Sequence, residues 1–219
     1  MGRSGKWLGV AVGVVAIALT IVGFVGPWWN VRVSGSVFGQ SFDSNADFRL
    51  FGGTATATAG SFSQTNTTDY SEDPNTRNVF LAGAALSGLA IVVGAALVAL
   101  AAMANRSPTM RRGAAVFGVL AFVLGLASVL YVMSALPSAV NADTGSSGAE
   151  VSGFWGTDSI TLFGSTVTMT WAAGWAWYTV LVGSILFLVA GILASSARKA
   201  APMARPPSMQ EPPESPQMP

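Results

Sequence analysis

Asp43, Asn45 and Asp47 stand at alternate positions and form the D-x-N-x-D opening of a calcium loop. Oxygen donors of this kind suit a hard divalent cation. The sixth position of such a loop asks for Gly and holds Phe48; the twelfth asks for Glu and holds Thr54. Short acidic and amide side chains also build turns through their own backbone. The triplet therefore reads as turn chemistry first and as a cation site second. Nothing else in the chain has the make-up of a reaction centre. There is no Cys and no His, which removes thiol nucleophiles, disulfides, Cys/His zinc sites and histidine-ligated haem. A serine nucleophile needs a base, and the two lysines, Lys6 and Lys199, both lie in basic segments near the ends. No glycine-rich phosphate loop follows a strand. The chain is expected not to be an enzyme, to hold no cofactor and to bind no nucleic acid.

The elements that position any functional group are read from four apolar runs: Trp7 to Trp29, Val79 to Met103, Ala114 to Leu136 and Trp171 to Ala194. None contains Asp, Glu, Lys or Arg. At about 1.5 Å per residue each reaches about 34 Å or more, enough to cross a hydrocarbon core of about 30 Å. The runs do not alternate as barrel strands would, and in lipid a helix satisfies its own backbone. Over all 219 residues the chain is 51% hydrophobic and only 10% charged. A soluble domain carries about a quarter charged residues, so lipid is the expected main solvent. The Ala16-Ile17-Ala18 triplet could serve a cleaved signal, but the apolar stretch runs on well past it. The first run is expected to remain a span. A myristoylation pattern fails at Lys6.

Lys and Arg set the orientation. Arg3 and Lys6 precede the first span, Arg106, Arg111 and Arg112 sit in the 104–113 link, and Arg198, Lys199 and Arg205 follow the fourth span. That puts eight of the 11 basic residues on one side. The exceptions are Arg32, Arg49 and Arg77, in segment 30–78. Most acids lie in segments 30–78 and 137–170. Both termini are expected in the cytoplasm and both long segments outside, in a multi-pass protein of the cell membrane. The 195–219 tail is rich in Pro, with two loose P-x-x-P matches, and is expected to be disordered.

The external segments carry strand patterns. Val31 to Ser34, Phe48 to Leu50 and Thr54 to Ala59 alternate in the first; Ile160 to Leu162 and Val167 to Met169 alternate in the second, around a Gly164-Ser165 turn. Together they are expected to form one small antiparallel sheet on the outer helix ends. Segment 61–75, rich in Ser, Thr, Asn and Asp, reads as a mobile loop. It contains the sequon Asn66-Thr67-Thr68. Trp28, Trp29, Trp171, Trp175, Trp177 and Tyr178 are expected at the outer headgroup level, and Trp7 at the inner one. Gly5, Gly9 and Gly13 form a G-x-x-x-G-x-x-x-G ladder, suited to helix packing within the bundle or to dimerisation. Thr20, Ser87, Ser128, Ser134, Thr179 and Ser184 are the hydroxyls of the spans. No ionisable residue marks a transport path there.

At the exit of the first span the chain has Pro27-Trp28-Trp29 and then Arg32-Val33-Ser34, and Arg77 stands where the first segment enters the second span. With four spans and a longer first external segment, this pattern resembles the claudin and peripheral-myelin-protein superfamily. The resemblance implies a membrane four-helix bundle carrying an extracellular antiparallel sheet built from the two external segments. The superfamily's cysteine signature has no counterpart here. The expected role is non-catalytic: the sheet and a Trp28/Trp29 rim would bind a neighbouring copy or another membrane or envelope protein. Arg77 would pin the sheet by bonding backbone carbonyls or Asp73, or would stand as a solvated helix-end charge. The alternatives are an accessory subunit of a transporter or channel, packing through its glycine-rich helices, and a stand-alone small-solute channel or transporter.

Overall fold

The computed structural model describes residues 2–37, 39–145, 150–162 and 164–196. The expectations for the Pro-rich tail beyond Ser196 fall outside these residues. Ten elements follow one another: α1 (Gly2–Val25), β1 (Trp29–Val37), β2 (Gln40–Arg49), β3 (Gly52–Ala59), β4 (Phe62–Thr68), α2 (Pro74–Ala102), α3 (Pro108–Thr144), β5 (Gly156–Leu162), β6 (Ser165–Ala173) and α4 (Trp175–Ser195). All four helices are long and apolar enough to cross a membrane. Against a helix bundle sits a six-stranded antiparallel sheet, in the order β4-β3-β2-β1-β6-β5.

Pairing of β1 with β6 joins the two sequence segments into one sheet, with Val31 opposite Trp171 and Trp29 opposite Ala173. The crossing is sealed by backbone. Gly174 N–H donates to Trp28 O at 2.9 Å, and Ala176 N–H donates to Pro27 O at 3.0 Å. These bonds tie the end of α1 to the start of α4 and fix where the sheet stands. Gly60 and Gly164, at the tips of the β3–β4 and β5–β6 hairpins, have φ of +58° and +80°, a conformation that the absence of Cβ makes accessible.

In the bundle, α1 packs on α4, α2 on α3, and α3 on α4. Gly9 and Gly13 of the glycine ladder face inward. A Cβ at Gly9 would stand 3.1 Å from Ala194 N, and one at Gly13 would stand 2.8 Å from a Val98 methyl. Gly9 thus provides the close approach of α1 to α4, and Gly13 that of α1 to α2; Gly5 lies earlier in α1. The span hydroxyls are consumed locally. Thr20 donates to Ala16 O and Ser184 to Val180 O. Ser87 and Ser128 bond each other at 2.8 Å.

Several boundaries move. The first helix stops at Val25, because Pro27 cannot continue it and Trp29 opens β1. Trp171 to Ala173 belong to β6 rather than to the fourth helix. The third helix does not end at Leu136 but runs through Pro137 to Thr144. An internal proline costs about 3 kcal/mol, and tertiary contacts offset it here. Leu136 and Ala139 are buried, and the Asn141 side chain bonds both N–H and C=O of Val151, at 2.9 and 3.0 Å. Segment 61–75 is not a loop: it contains β4 and the start of α2.

Candidate functional site

The junction between sheet and bundle is built from aromatic side chains. Trp28, Trp29 and Trp171 are almost wholly buried, as are Tyr70 and Phe80. Each buried indole finds a carbonyl. Trp28 Nε1 donates to Gly23 O (2.9 Å), Trp29 to Phe154 O (3.0 Å), Trp171 to Gly153 O (2.8 Å) and Trp177 to Val129 O (3.1 Å). An apolar ring with one satisfied polar edge suits a site between two layers. The expected Trp28/Trp29 rim is therefore corrected: both rings are core, and neither can touch a partner. Trp175, Tyr178 and Trp155 are exposed at this end, as are Phe51 and Phe62 of the sheet.

Tyr70 is the hub that the sequence did not single out. Its hydroxyl accepts from Arg49 N–H at 3.0 Å and shares its one proton between the carbonyls of Arg49 and Gly52, 2.7 and 2.8 Å away. It thereby holds the β2–β3 turn. Its ring stacks on Phe80 of α2, with centroids 5.4 Å apart. Tyr70 has φ +62°, a strained value for a bulky residue. Burial pushes its phenol well above the ordinary range. A hydroxyl directed at main chain in the middle of a polar segment leaves no periodic signal.

Arg77 does not pin the sheet. Its backbone N–H donates to Asp73 O at 2.9 Å, but its side chain is exposed, and no ion pair joins it to Asp73 among the described residues. The charged contact at this helix start comes instead from Asp143, at the end of α3, and it ties α3 to α2 rather than to the sheet. Its carboxylate accepts from Asn75 N–H (3.1 Å), Asn75 Nδ2 (2.7 Å) and Thr76 N–H (2.8 Å). These satisfy the open donors at the start of α2, where Asp73 in the N-cap position makes no side-chain cap. The signal was hidden because the cap comes from 67 residues away.

Asp43, Asn45 and Asp47 lie on β2, a regular strand paired on both sides. Alternate residues of a strand share a face but are spaced about 7 Å apart, so the three side chains do not converge on one ion. No cluster of three or more acidic residues able to hold a metal occurs among the described residues. The calcium-loop and turn readings both give way to cross-strand pairing. Arg32 Nε donates to both Asp43 oxygens at 3.1 Å, and a closer Nη2 contact completes the ion pair. Its hydrogen bonds and charge hold the Asp43 carboxyl below the usual carboxylate range. Asp47 accepts from Asn30 and Asn45.

These residues belong to a polar face that crosses the whole sheet. Register places Thr157, Thr170, Arg32, Asn45, Thr56 and Thr65 in one row over six strands. The opposite face is divided. Near the bundle it carries Trp29, Val31 and Trp171, all buried. Away from it, on β3 and β4, the same face carries Ala55, Ala57 and Phe62, all exposed. The sheet overhangs the bundle; β4 and β5 are its two edge strands, and β4 is exposed along its full length whereas β5 carries the charge of Asp158. No family model matches the chain, and no curated protein matches it.

Proposed function

We propose that this chain is a non-catalytic, multi-pass membrane protein that acts by contact, through the free β4 edge of an external six-stranded sheet. The occupant of that edge is a neighbouring copy or another membrane or envelope protein. The observation that carries this reading is β4 itself. Phe62-Ser-Gln-Thr-Asn-Thr-Thr68 pairs with β3 on one side in unbroken register and, among the described residues, has no strand on the other. It carries no charge and no proline, the devices by which edge strands ordinarily avoid pairing. An open row of N–H and C=O groups of this kind accepts an added strand. The placement of Arg106, Arg111 and Arg112 in and after the α2–α3 link, opposite the sheet, supports cytoplasmic termini and an external sheet. Four such helices with a sheet on one end support the claudin-like reading of architecture; the activity does not follow from it.

The accessory-subunit reading relied on the glycine ladder, and Gly9 and Gly13 are already occupied by α4 and α2. The channel reading finds its buried span hydroxyls bonded to helix carbonyls or to each other. The edge is tested through the natural absence of cysteine. Pairing of β4 with its own copy about a two-fold centred on the strand places Thr65 opposite Thr65. Directly paired residues come within disulfide reach. A Thr65→Cys variant oxidised in intact cells should form a covalent dimer, while Asn45→Cys, on the open face of β2, should not. A mixed disulfide with a different membrane protein would identify a hetero-partner instead. Equal behaviour of the two variants would overturn the edge reading.

A further inference from the structure

The two residues of the β2–β3 turn have opposite surroundings. Leu50 is buried, and its side chain comes within 3.6 Å of a Cβ placed on Gly83 of α2. Phe51 is 59% exposed and packs at a tilt on Phe24 of α1, with centroids 5.3 Å apart. Val25, the last residue of α1, and Leu81 of α2 are exposed around it. The exposed apolar surface of the helices thus continues without a break onto the sheet at this one turn.

The turn reaches well down the bundle. Gly83 lies nine residues after Pro74, the first residue of α2, which at 1.5 Å per residue puts it about 13 Å below the start of that helix. Glu72, Asp73 and the capping Asp143 stand at that start, so the acidic groups form a layer above the turn. The other end of the bundle gives the same level. Val132, whose methyl stands 2.6 Å from the same Cβ position on Gly83, is 20 residues after Arg112, and Gly83 is 19 residues before Ala102, the last residue of α2. A hydrocarbon core of about 30 Å takes about 20 helical residues. A core that begins at the arginines of the α2–α3 link therefore ends at Leu50 and Phe51. Exposed Trp175, 20 residues before the end of α4, marks this level as an interface residue does.

The main chain of the turn is equipped for apolar surroundings, where its polar groups need partners from the protein. The Tyr70 hydroxyl takes Arg49 N–H and serves the carbonyls of Arg49 and Gly52. The charged groups beside the turn are Arg49, next in sequence, and Asp69 and Arg77, in a cleft shared with Leu81. They carry both signs and select no headgroup charge. We infer that the β2–β3 turn dips into the outer leaflet, with Phe51, Val25 and Leu81 lying against acyl chains just below the headgroups. The occupant of the patch is bilayer lipid, whatever its headgroup. This contact rests on the reading that the four helices span a membrane with the sheet outside.

The test uses the full chain, which has no cysteine of its own, in phosphatidylcholine vesicles. One spin-labelled cysteine at a time replaces Phe51, Leu81, Val92 in the middle of α2, or Phe62 at the far tip of the sheet. All four positions are exposed, so the core stays intact. Relaxation by oxygen reports lipid, and relaxation by a water-soluble nickel chelate reports water. The oxygen-to-nickel ratio should be highest for Val92→Cys. For Phe51→Cys and Leu81→Cys it should exceed the Phe62→Cys value several-fold. Leu81→Cys reads the patch without altering the turn. A water-like ratio at Val92 would overturn the spanning reading, and the turn contact with it. A lipid-like ratio at Val92 with equal, low ratios at Phe51, Leu81 and Phe62 would overturn the turn contact alone. Protection from both reagents at Phe51 would mean that protein covers the patch, and would overturn lipid as its occupant.

Discussion

The sheet is one hydrogen-bonded layer, yet its two halves are built for different purposes. The half on the bundle, formed by β1, β6 and the lower part of β2, buries Trp29, Val31 and Trp171 and ties its indoles to carbonyls. The overhanging half, β3 and β4, is made mostly of Thr, Ala, Gly, Ser, Asn and Gln with a single Phe, and β4 is exposed throughout. Burial of large rings stabilises the first half, and no comparable burial ties down the second. Substitutions in the first half should therefore read out as stability, and substitutions in the second as contact.

The comparison is broken most directly by Trp29→Ala. Removing a fully buried ring should cost about 3–5 kcal/mol and lower the melting temperature of the purified chain markedly. Thr65→Ala in β4 should stay within about 0.5 kcal/mol. Equal losses at the two positions would show that the overhanging half is as load-carrying as the junction. Tyr70→Phe ranks next. It keeps the ring stack but leaves buried main-chain groups of the β2–β3 turn without their partner. The expected cost is about 1–3 kcal/mol in the same measurement. Asp143→Ala removes the cap on α2 and should cost about 0.5–2 kcal/mol. Hydrogen exchange at Asn75 and Thr76 should rise with it, and unchanged protection there would mean that another group caps α2.

These effects sort the features that were legible in the chain from those that were not. Helices could be read because long runs without charge admit little else. Their ends could not, because Pro137 ordinarily stops a helix and Trp171 ordinarily reads as an interface residue. Strands β1, β3, β5 and β6 showed apolar-polar or Thr-Ala alternation. Strand β4 showed none, because an edge exposed on both faces has no buried side to impose a period. Burial of Trp28 and Trp29 was illegible for a similar reason: a headgroup belt and a sheet–bundle core call for the same residue type. Tyr70 and Asp143 act across long separations on main-chain groups, and no local pattern encodes that. Asp43, Asn45 and Asp47 were noticed for their spacing, which turned out to be the two-residue period of a strand face.

A charge placed on the free edge sharpens the contrast further. Thr65→Arg should leave the melting temperature within about 1 °C, an effect of a few tenths of a kcal/mol. It should abolish covalent capture between cysteines placed at Ser63 and Thr67, which the same two-fold sets opposite each other, because a charged edge strand resists pairing. Loss of stability together with capture would instead assign β4 to the folded core.

The smallest effect concerns the Arg32–Asp43 pair on the open face. Hydrogen bonding from Arg32 is the largest influence on Asp43 and lowers its pKa; slight desolvation opposes it, and the charge of Arg32 adds to it. A carboxyl whose folded pKa is depressed contributes stability above its unfolded pKa, near 3.9, and loses that contribution as pH falls through the folded value. The window therefore lies below about pH 4. Both side chains face solvent, where such pairs contribute little, so the midpoint of titration is the informative readout. Carbon-13 detection of the Asp43 carboxyl should give a midpoint below the ordinary range, and Arg32→Gln should move it upward. A midpoint that ignores Arg32→Gln would mean that the pair does not persist in solution.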